Sequence, residues 1–194
     1  YSHYGKMDDE DIYSIIAYLR TLTPIDNMVE ESVSDFPMNI ILNTIPVKGA
    51  PEKRPDPVDK VAYGKYLVNA AACIECHTQV DKGQVIPELA FSGGREFGFP
   101  DGSIVRSVNI TADPETGIGK WTEEYFINRF KMYADSSYTP PPVKPGEFNT
   151  IMPWVMYASM TPEDLSAIFA YLKTLPPRKN LVVKFQPSEK QAMK

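Results

Sequence analysis

Cys73-Ile74-Glu75-Cys76-His77 is the stretch whose reading decides the fold. In a C-x-x-C-H pattern two thiols stand three residues apart and a histidine follows the second. Residues at i and i+3 share a face of a helical turn, so both thiols can add to the two vinyl groups along one edge of a porphyrin. The next residue, His77, then offers an imidazole nitrogen to the iron, the proximal ligand position. Other uses of these residues fit less well. Zinc wants four ligands, but the chain has two cysteines and two histidines, the other being His3, so carboxylates would have to complete the site. A thioredoxin-like dithiol gives His77 no role. The pentapeptide therefore predicts haem c on Cys73 and Cys76, with His77 on the iron.

The 194 residues are 43% hydrophobic and 23% charged, ordinary values for a globular chain. Eighteen prolines predict long irregular loops. A net charge of −5 argues against a nucleic-acid partner. The charge is uneven: residues 1–36 carry eight acids against Lys6 and Arg20, a net of −6, and the remainder carries +1. This acidic segment reads as a solvated helix face or as a surface that steers a basic partner. No apolar run is long enough to cross a bilayer. The sequence opens at Tyr1 without an initiator Met or a signal-peptide pattern, so a mature or incomplete chain is expected, with any anchor lost or on a partner.

Residues 8–22 read as an amphipathic helix capped by Asp8, with Ile12, Ile15, Ile16, Leu19 and Leu22 as its apolar stripe and Pro24 as its stop. The same helix recurs near the other end. Tyr4–Pro24 set against Tyr157–Pro177, a constant offset of 153, gives 11 identities in 21 positions. Internal repetition on this scale predicts repeated architecture. We expect residues 1–24 to be the last helix of an incomplete upstream domain, 25–56 a proline-rich linker, 57–180 a complete related domain and 181–194 a tail. Within the linker, Met38-Asn39-Ile40-Ile41-Leu42 is expected as a short helix or extended piece lying in a groove. The tail reads as a surface strand or as unstructured chain.

Inside 57–180, residues 57–72 read as the helix leading to the haem turn, with Asp56 as its cap. Gly64 costs about 1 kcal/mol against Ala in a helix, which predicts close approach of helix 162–175 through Ile168 and Tyr171. Phe99-Pro100-Asp101-Gly102 signals a turn, leaving room for one small hairpin between 95–97 and 104–106. Thr122 caps a helix to about Tyr133 that buries Phe126, Phe130 and Tyr133.

An electron-transferring iron needs a second axial ligand, and eight methionines compete. Met160 and its repeat partner Met7 precede helix caps and are explained by packing. Met28, Met38 and Met193 lie outside the haem domain proper, and Met132 sits on a helix. Met152 stands on a proline-stiffened loop before Pro153, where a thioether can be presented without breaking a helix; Met156 is the alternative. Tyr66, Leu67, Phe126, Phe130 and Ile168 would form a dry shell. Asn109, Thr111 and Trp121 are either donors to the haem propionates or ordinary turn residues.

With these pieces placed, the chain resembles the diheme cytochrome c family, whose domains are of the small mitochondrial-like type. The resemblance is carried by Gly64-Lys65-Tyr66-Leu67, Cys73–His77, Asn109-Ile110-Thr111, Thr116-Gly117-Ile118-Gly119-Lys120-Trp121, Met152-Pro153-Trp154, and Thr161–Leu165 with Ala170-Tyr171-Leu172. It implies an all-α cytochrome c-like fold whose first and last helices cross, and Met152 as the second ligand. It also implies a second haem in the upstream domain and a periplasmic or outer-face location. The function it implies is one-electron transfer within a membrane-associated dehydrogenase or respiratory complex, with other subunits as redox partners. The alternative of another class is a peroxidase-type haem enzyme with an open iron, which would want an acid/base group beside it; 57–180 holds no second histidine. A third reading is a structural module whose haem serves one step of a relay.

Overall fold

Asp8 and Thr161 occupy equivalent places in the repeat, and both cap helices in the computed structural model, which describes residues 3–144 and 146–188. The chain divides into two units between Arg54 and Pro55.

In the first unit, helix α1 spans Asp9–Thr21, and the Asp8 carboxylate accepts the Glu10 N–H at 3.1 Å. The same carboxylate accepts the Arg54 amide at 2.8 Å and pairs with Lys53 Nζ at 3.0 Å, while Arg54 Nη1 donates to Asp11 at 2.8 Å. The end of the proline-rich stretch is thus tied back onto the first turn of α1. These contacts, the Arg54 amide first among them, hold the Asp8 carboxyl at about 2, below its ordinary 3.8. Helix α2, Met38–Ile41, is a single turn after Pro37. Its Met38, Ile40 and Ile41 stay exposed, so the groove expected around this run is not formed within the unit.

In the second unit, α3 spans Lys60–Ala70 and α4 spans Cys73–His77. Asp59, not Asp56, caps α3, accepting the Ala62 N–H at 3.0 Å. Asp56 is occupied by its own turn, accepting the Val58 N–H at 2.8 Å. Two short strands, β1 (Val80–Asp81) and β2 (Gln84–Val85), form an unexpected hairpin around Lys82 and Gly83, both at positive φ. The expected hairpin pairs β3 (Glu96–Gly98) with β4 (Ile104–Arg106). Helix α5, Glu123–Lys131, begins at Thr122, whose hydroxyl accepts the Tyr125 N–H at 3.1 Å. Helix α6 is Trp154–Tyr157 and α7 is Pro162–Thr174. The tail returns as β5, Phe185–Gln186, on the free edge of β4, while its last six residues lie outside the described ones. Among the described residues the fold is mostly helical with five short strands, the layout of a cytochrome c-like domain.

The frame is the crossing of α3 and α7. A Cβ on Gly64 would overlap the Ala167 carbonyl and lie 3.0 Å from the Tyr171 Cβ. Absence of that carbon lets the two backbones touch, as the sequence predicts, with Ala167 as the nearest neighbour. Across the same seam Tyr63 donates to Asp164 at 2.8 Å, and Lys60 donates to Ser166 at 2.8 Å. Ser166 in turn donates to Glu123 at 2.6 Å, drawing α5 into the seam. Beneath it, Val68, Phe126, Phe130, Leu165, Ile168, Phe169 and Leu172 form one buried cluster.

Gly64→Ala is expected to destabilise the second unit by about 1–3 kcal/mol, because backbone rather than a side-chain tip must move; denaturant midpoints measure it. For Asp8 the depressed carboxyl gives a signed expectation. Its contribution is fully present above 3.8 and is lost as pH falls through about 2. An NMR titration should place its midpoint near 2, and in Lys53→Ala the midpoint should move up toward 3.8.

Candidate haem site

Helix α3 stops at Ala70, and Ala72 takes a left-handed conformation, φ 51°, before α4 begins. This costs a non-glycine residue about 1–2 kcal/mol, and it turns the chain so that Cys73 and Cys76 start a fresh helical turn. Tyr157 of α6 donates to the Ala71 carbonyl at 3.1 Å and steadies the kink. Cys73 and Ile74 pack on the buried cluster, while Cys76 is exposed; neither thiol is in a disulfide. Burial pushes the Cys73 thiol up to about 12. Among the described residues no three His, Cys, Asp or Glu side chains gather as a metal site.

His77 is buried, and its Nδ1 lies 2.8 Å from the Val108 carbonyl oxygen. A carbonyl can only accept, so Nδ1 carries the hydrogen and Nε2 keeps its lone pair for a metal. Burial moves the His77 pKa below its ordinary value, outweighing the opposite pull of the Val108 carbonyl. The ring is thus a neutral, oriented ligand. Its own carbonyl accepts the Gly93 N–H at 2.8 Å. Gly93 sits at φ 75°, and a Cβ there would overlap Val108 and approach the Asn109 nitrogen to 2.6 Å, so only glycine lets the two loops meet. Arg95 donates to the Glu75 carbonyl at 2.5 Å, fixing the middle of α4.

Asn109 and Thr111 lie just beyond Val108, and their donors are committed to the loop. Asn109 Nδ2 donates to Thr116 at 2.9 Å and to the Arg178 carbonyl at 2.7 Å. Asn109 Oδ1 accepts from the Thr111 amide at 2.9 Å and from its hydroxyl at 2.8 Å. Arg178 and Asn180, on the arm after α7, donate backbone N–H groups to Thr111 at 3.2 Å and Thr116 at 3.0 Å. Both residues therefore shape the loop that aims the Val108 carbonyl. Trp121 stands at the start of α5, edge-on to Tyr125 at 4.8 Å and partly buried against the core.

Met152 also packs against the buried cluster, half-exposed, with Pro153 and Trp154 following. Met156 on α6 is 75% exposed. Met160 packs on the core beside the cap of α7, and Met132 lies under Arg129, whose Nη1 is 3.2 Å from its sulfur; Met193 lies outside the described residues. The buried Trp154 indole N–H has no hydrogen-bond partner. An orphaned donor two residues past Met152, with Cys73 and Met152 on one apolar cluster and a neutral His77, fits a flat, mostly apolar group that carries a few acceptors. Haem is such a group.

Sequence reasoning missed Val108, which acts through its backbone, and Arg178, which arrives from a distant arm. Gly93 drew no reading from the sequence, and Arg95 was read only as the start of the first hairpin strand, 95–97.

A profile of the cytochrome c family, described as "Cytochrome c", matches residues 61–176. The "alcohol dehydrogenase (quinone), cytochrome c subunit" of Gluconacetobacter polyoxogenes is 34% identical over 113 residues, covering 57% of this chain and 21% of that one. The "fructose dehydrogenase cytochrome subunit" of Gluconobacter japonicus is 34% identical over 116 residues, 59% of this chain and 21% of that one. The "diheme cytochrome c-type" protein of Cereibacter sphaeroides is 30% identical over 138 residues, 69% of this chain and 42% of that one. The chain thus spans about a fifth of the length of the two dehydrogenase subunits. It belongs to the cytochrome c family, and the matched region includes the C-x-x-C-H pattern of haem attachment at Cys73–His77.

Proposed function

We propose that residues 57–180 pass single electrons through a haem c joined to Cys73 and Cys76 by thioethers, with His77 and Met152 as its axial ligands. The observation that carries this reading is the buried His77 imidazole, held by Val108 at 2.8 Å inside the C-x-x-C-H turn. When bound, the haem supplies an iron that alternates between ferrous and ferric states by one electron. His77 stays neutral throughout, so no proton need accompany the electron. The Met152 thioether is a soft donor without a titratable proton, and His/Met ligation favours the ferrous state. Tyr66, Phe126, Phe130 and Ile168 are buried, and with Leu67 they exclude water and disfavour the extra ferric charge.

The wider setting is a subunit of a membrane-associated dehydrogenase or respiratory complex, with other subunits as redox partners, on the periplasmic or outer face of the membrane. Support comes from the relatives named as cytochrome c subunits of alcohol and fructose dehydrogenases. Among the described residues no helix is long and apolar enough to cross a membrane. The peroxidase alternative finds no support in these relatives, which are named as cytochrome subunits.

A second, related haem domain preceding α1 is the companion proposal. Ile15 and Leu19 of α1 are 43% and 55% exposed, while their repeat partners Ile168 and Leu172 of α7 are 6% and 3% exposed. The same side chains that seat α7 on α3 thus stand ready for an α3-like helix, and a relative is named as diheme.

In the ferric protein a sulfur-to-iron charge-transfer band is expected, and Met152→Ala should abolish it. A high-spin wild type, or a band that survives Met152→Ala, overturns the ligand assignment. Haem quantified per polypeptide in the natural full-length protein should exceed one; a value of one overturns the second domain.

A further inference from the structure

Residues 135–153 lead from the turn after α5 to the Met152 loop, with five prolines in 139–153. Among the described residues, the backbone N–H groups of Ser137, Tyr138, Lys144, Glu147 and Met152 all form their hydrogen bonds within the segment 135–152. Side chains add contacts to the rest of the domain, Tyr138 edge-on to Tyr133 and Phe148 edge-on to Phe185. Near Met152 the tie is Trp154. Its ring lies parallel to Tyr133, 5.4 Å between centroids at 10°, and 5.2 Å from Phe130. The Arg129 guanidinium stands 4.3 Å from the Trp154 ring centroid and 5.4 Å from that of Tyr133. It also donates to the hydroxyl of Tyr133, in the 3-10 turn that follows α5, at 3.0 Å, so it is anchored locally while it faces Trp154.

Two further facts couple this stack to the thioether. Pro153 has a ring-fixed φ, and the Trp154 backbone N–H donates to the Met152 carbonyl at 2.8 Å. Where the Trp154 ring is seated, the Met152 backbone has little freedom left. We propose that Arg129 and Trp154 are positioning residues for Met152: the guanidinium–indole stack clamps the loop to α5 and keeps the sulfur on the iron. This inference rests on Met152 being the second axial ligand. A lysine at 129 would keep the charge but lose both the planar stack and the bond to Tyr133, because an ammonium is compact and strongly hydrated.

Exogenous imidazole competes with the sulfur for ferric iron, so its affinity reads how firmly Met152 is held. Arg129→Lys and Trp154→Leu are compared with wild type, with haem content and far-UV circular dichroism checked for each. Each variant is expected to bind imidazole about tenfold more tightly, the scale of a partly desolvated cation–π contact. The sulfur-to-iron band should then disappear at correspondingly lower imidazole. Wild-type affinity in either folded variant overturns the clamp, and if Trp154→Leu does not take up haem, Arg129→Lys decides alone. Failure of the underlying assignment looks different: Met152→Ala would then bind imidazole as wild type does.

Discussion

The contact on which the rest of the site depends is the 2.8 Å approach of His77 Nδ1 to the Val108 carbonyl. It sets the tautomer, and with the tautomer it sets which nitrogen is left for iron. It also satisfies the one polar hydrogen of a ring otherwise buried in apolar surroundings, where an unpaired donor would cost about 1–3 kcal/mol. The carbonyl is held in turn by several layers. Gly93 meets Val108 through a backbone contact that tolerates no side chain, and Asn109 and Thr111 close the loop just beyond it. Arg178 and Asn180 pin that loop from the arm after α7. The orientation of the His77 ring is thereby referred, through a glycine contact and the hydrogen-bonded Asn109–Thr111 loop, to the arm after α7.

The second constraint is steric. Because Gly64 has no Cβ, α3 and α7 touch backbone to backbone, and the ends of both helices become fixed points. From the α3 end hangs the left-handed Ala72 and then the haem turn; before α7 come the Met152 loop and α6. The crossing thus sets the two halves of the candidate ligand set on one frame. The repeat shows that the helix sequence alone does not dictate its own burial. In the Ala-Tyr-Leu triplet of α7, Leu172 is buried and Ala170 and Tyr171 are half-buried, whereas all three residues of the same triplet in α1 are exposed. An amphipathic stripe specifies that a partner is wanted; it does not carry the partner.

This marks how far the sequence could be read. Cys73, Cys76 and His77 were legible because the chemistry demands fixed spacing within five residues. The helices, the Thr122 and Thr161 caps and the Gly64 approach were legible because periodicity and capping are local. The position of the α3 cap was misread by three residues, since Asp56 and Asp59 are chemically alike and only the competing turn at Val58 separates them. The β1–β2 hairpin was missed because Lys82-Gly83 is a weaker turn signal than Asn-Gly. β5 was left open because pairing with β4 is a long-range event. Asn109 and Thr111 were suspected for the right region, but their donors are spent inside a loop whose other half is some 70 residues away, at Arg178.

The two sides of the candidate haem site are built by different physics. On the His77 side, backbone groups, a glycine contact and a hydrogen-bonded loop fix the ring, and none of these can yield without breaking several bonds at once. On the Met152 side the loop is seated by Trp154, Tyr133 and Arg129, whose stacking has a broad minimum and no obligatory partner. A rigid histidine and a compliant thioether suit an electron carrier. With His77 and Met152 as the proposed ligands of a bound haem, the soft thioether would tolerate small changes in bond length while the hydrogen-bonded imidazole stayed fixed. The same asymmetry dictates where such a site yields first: a strong exogenous ligand would enter by displacing the stacked side, not the hydrogen-bonded one.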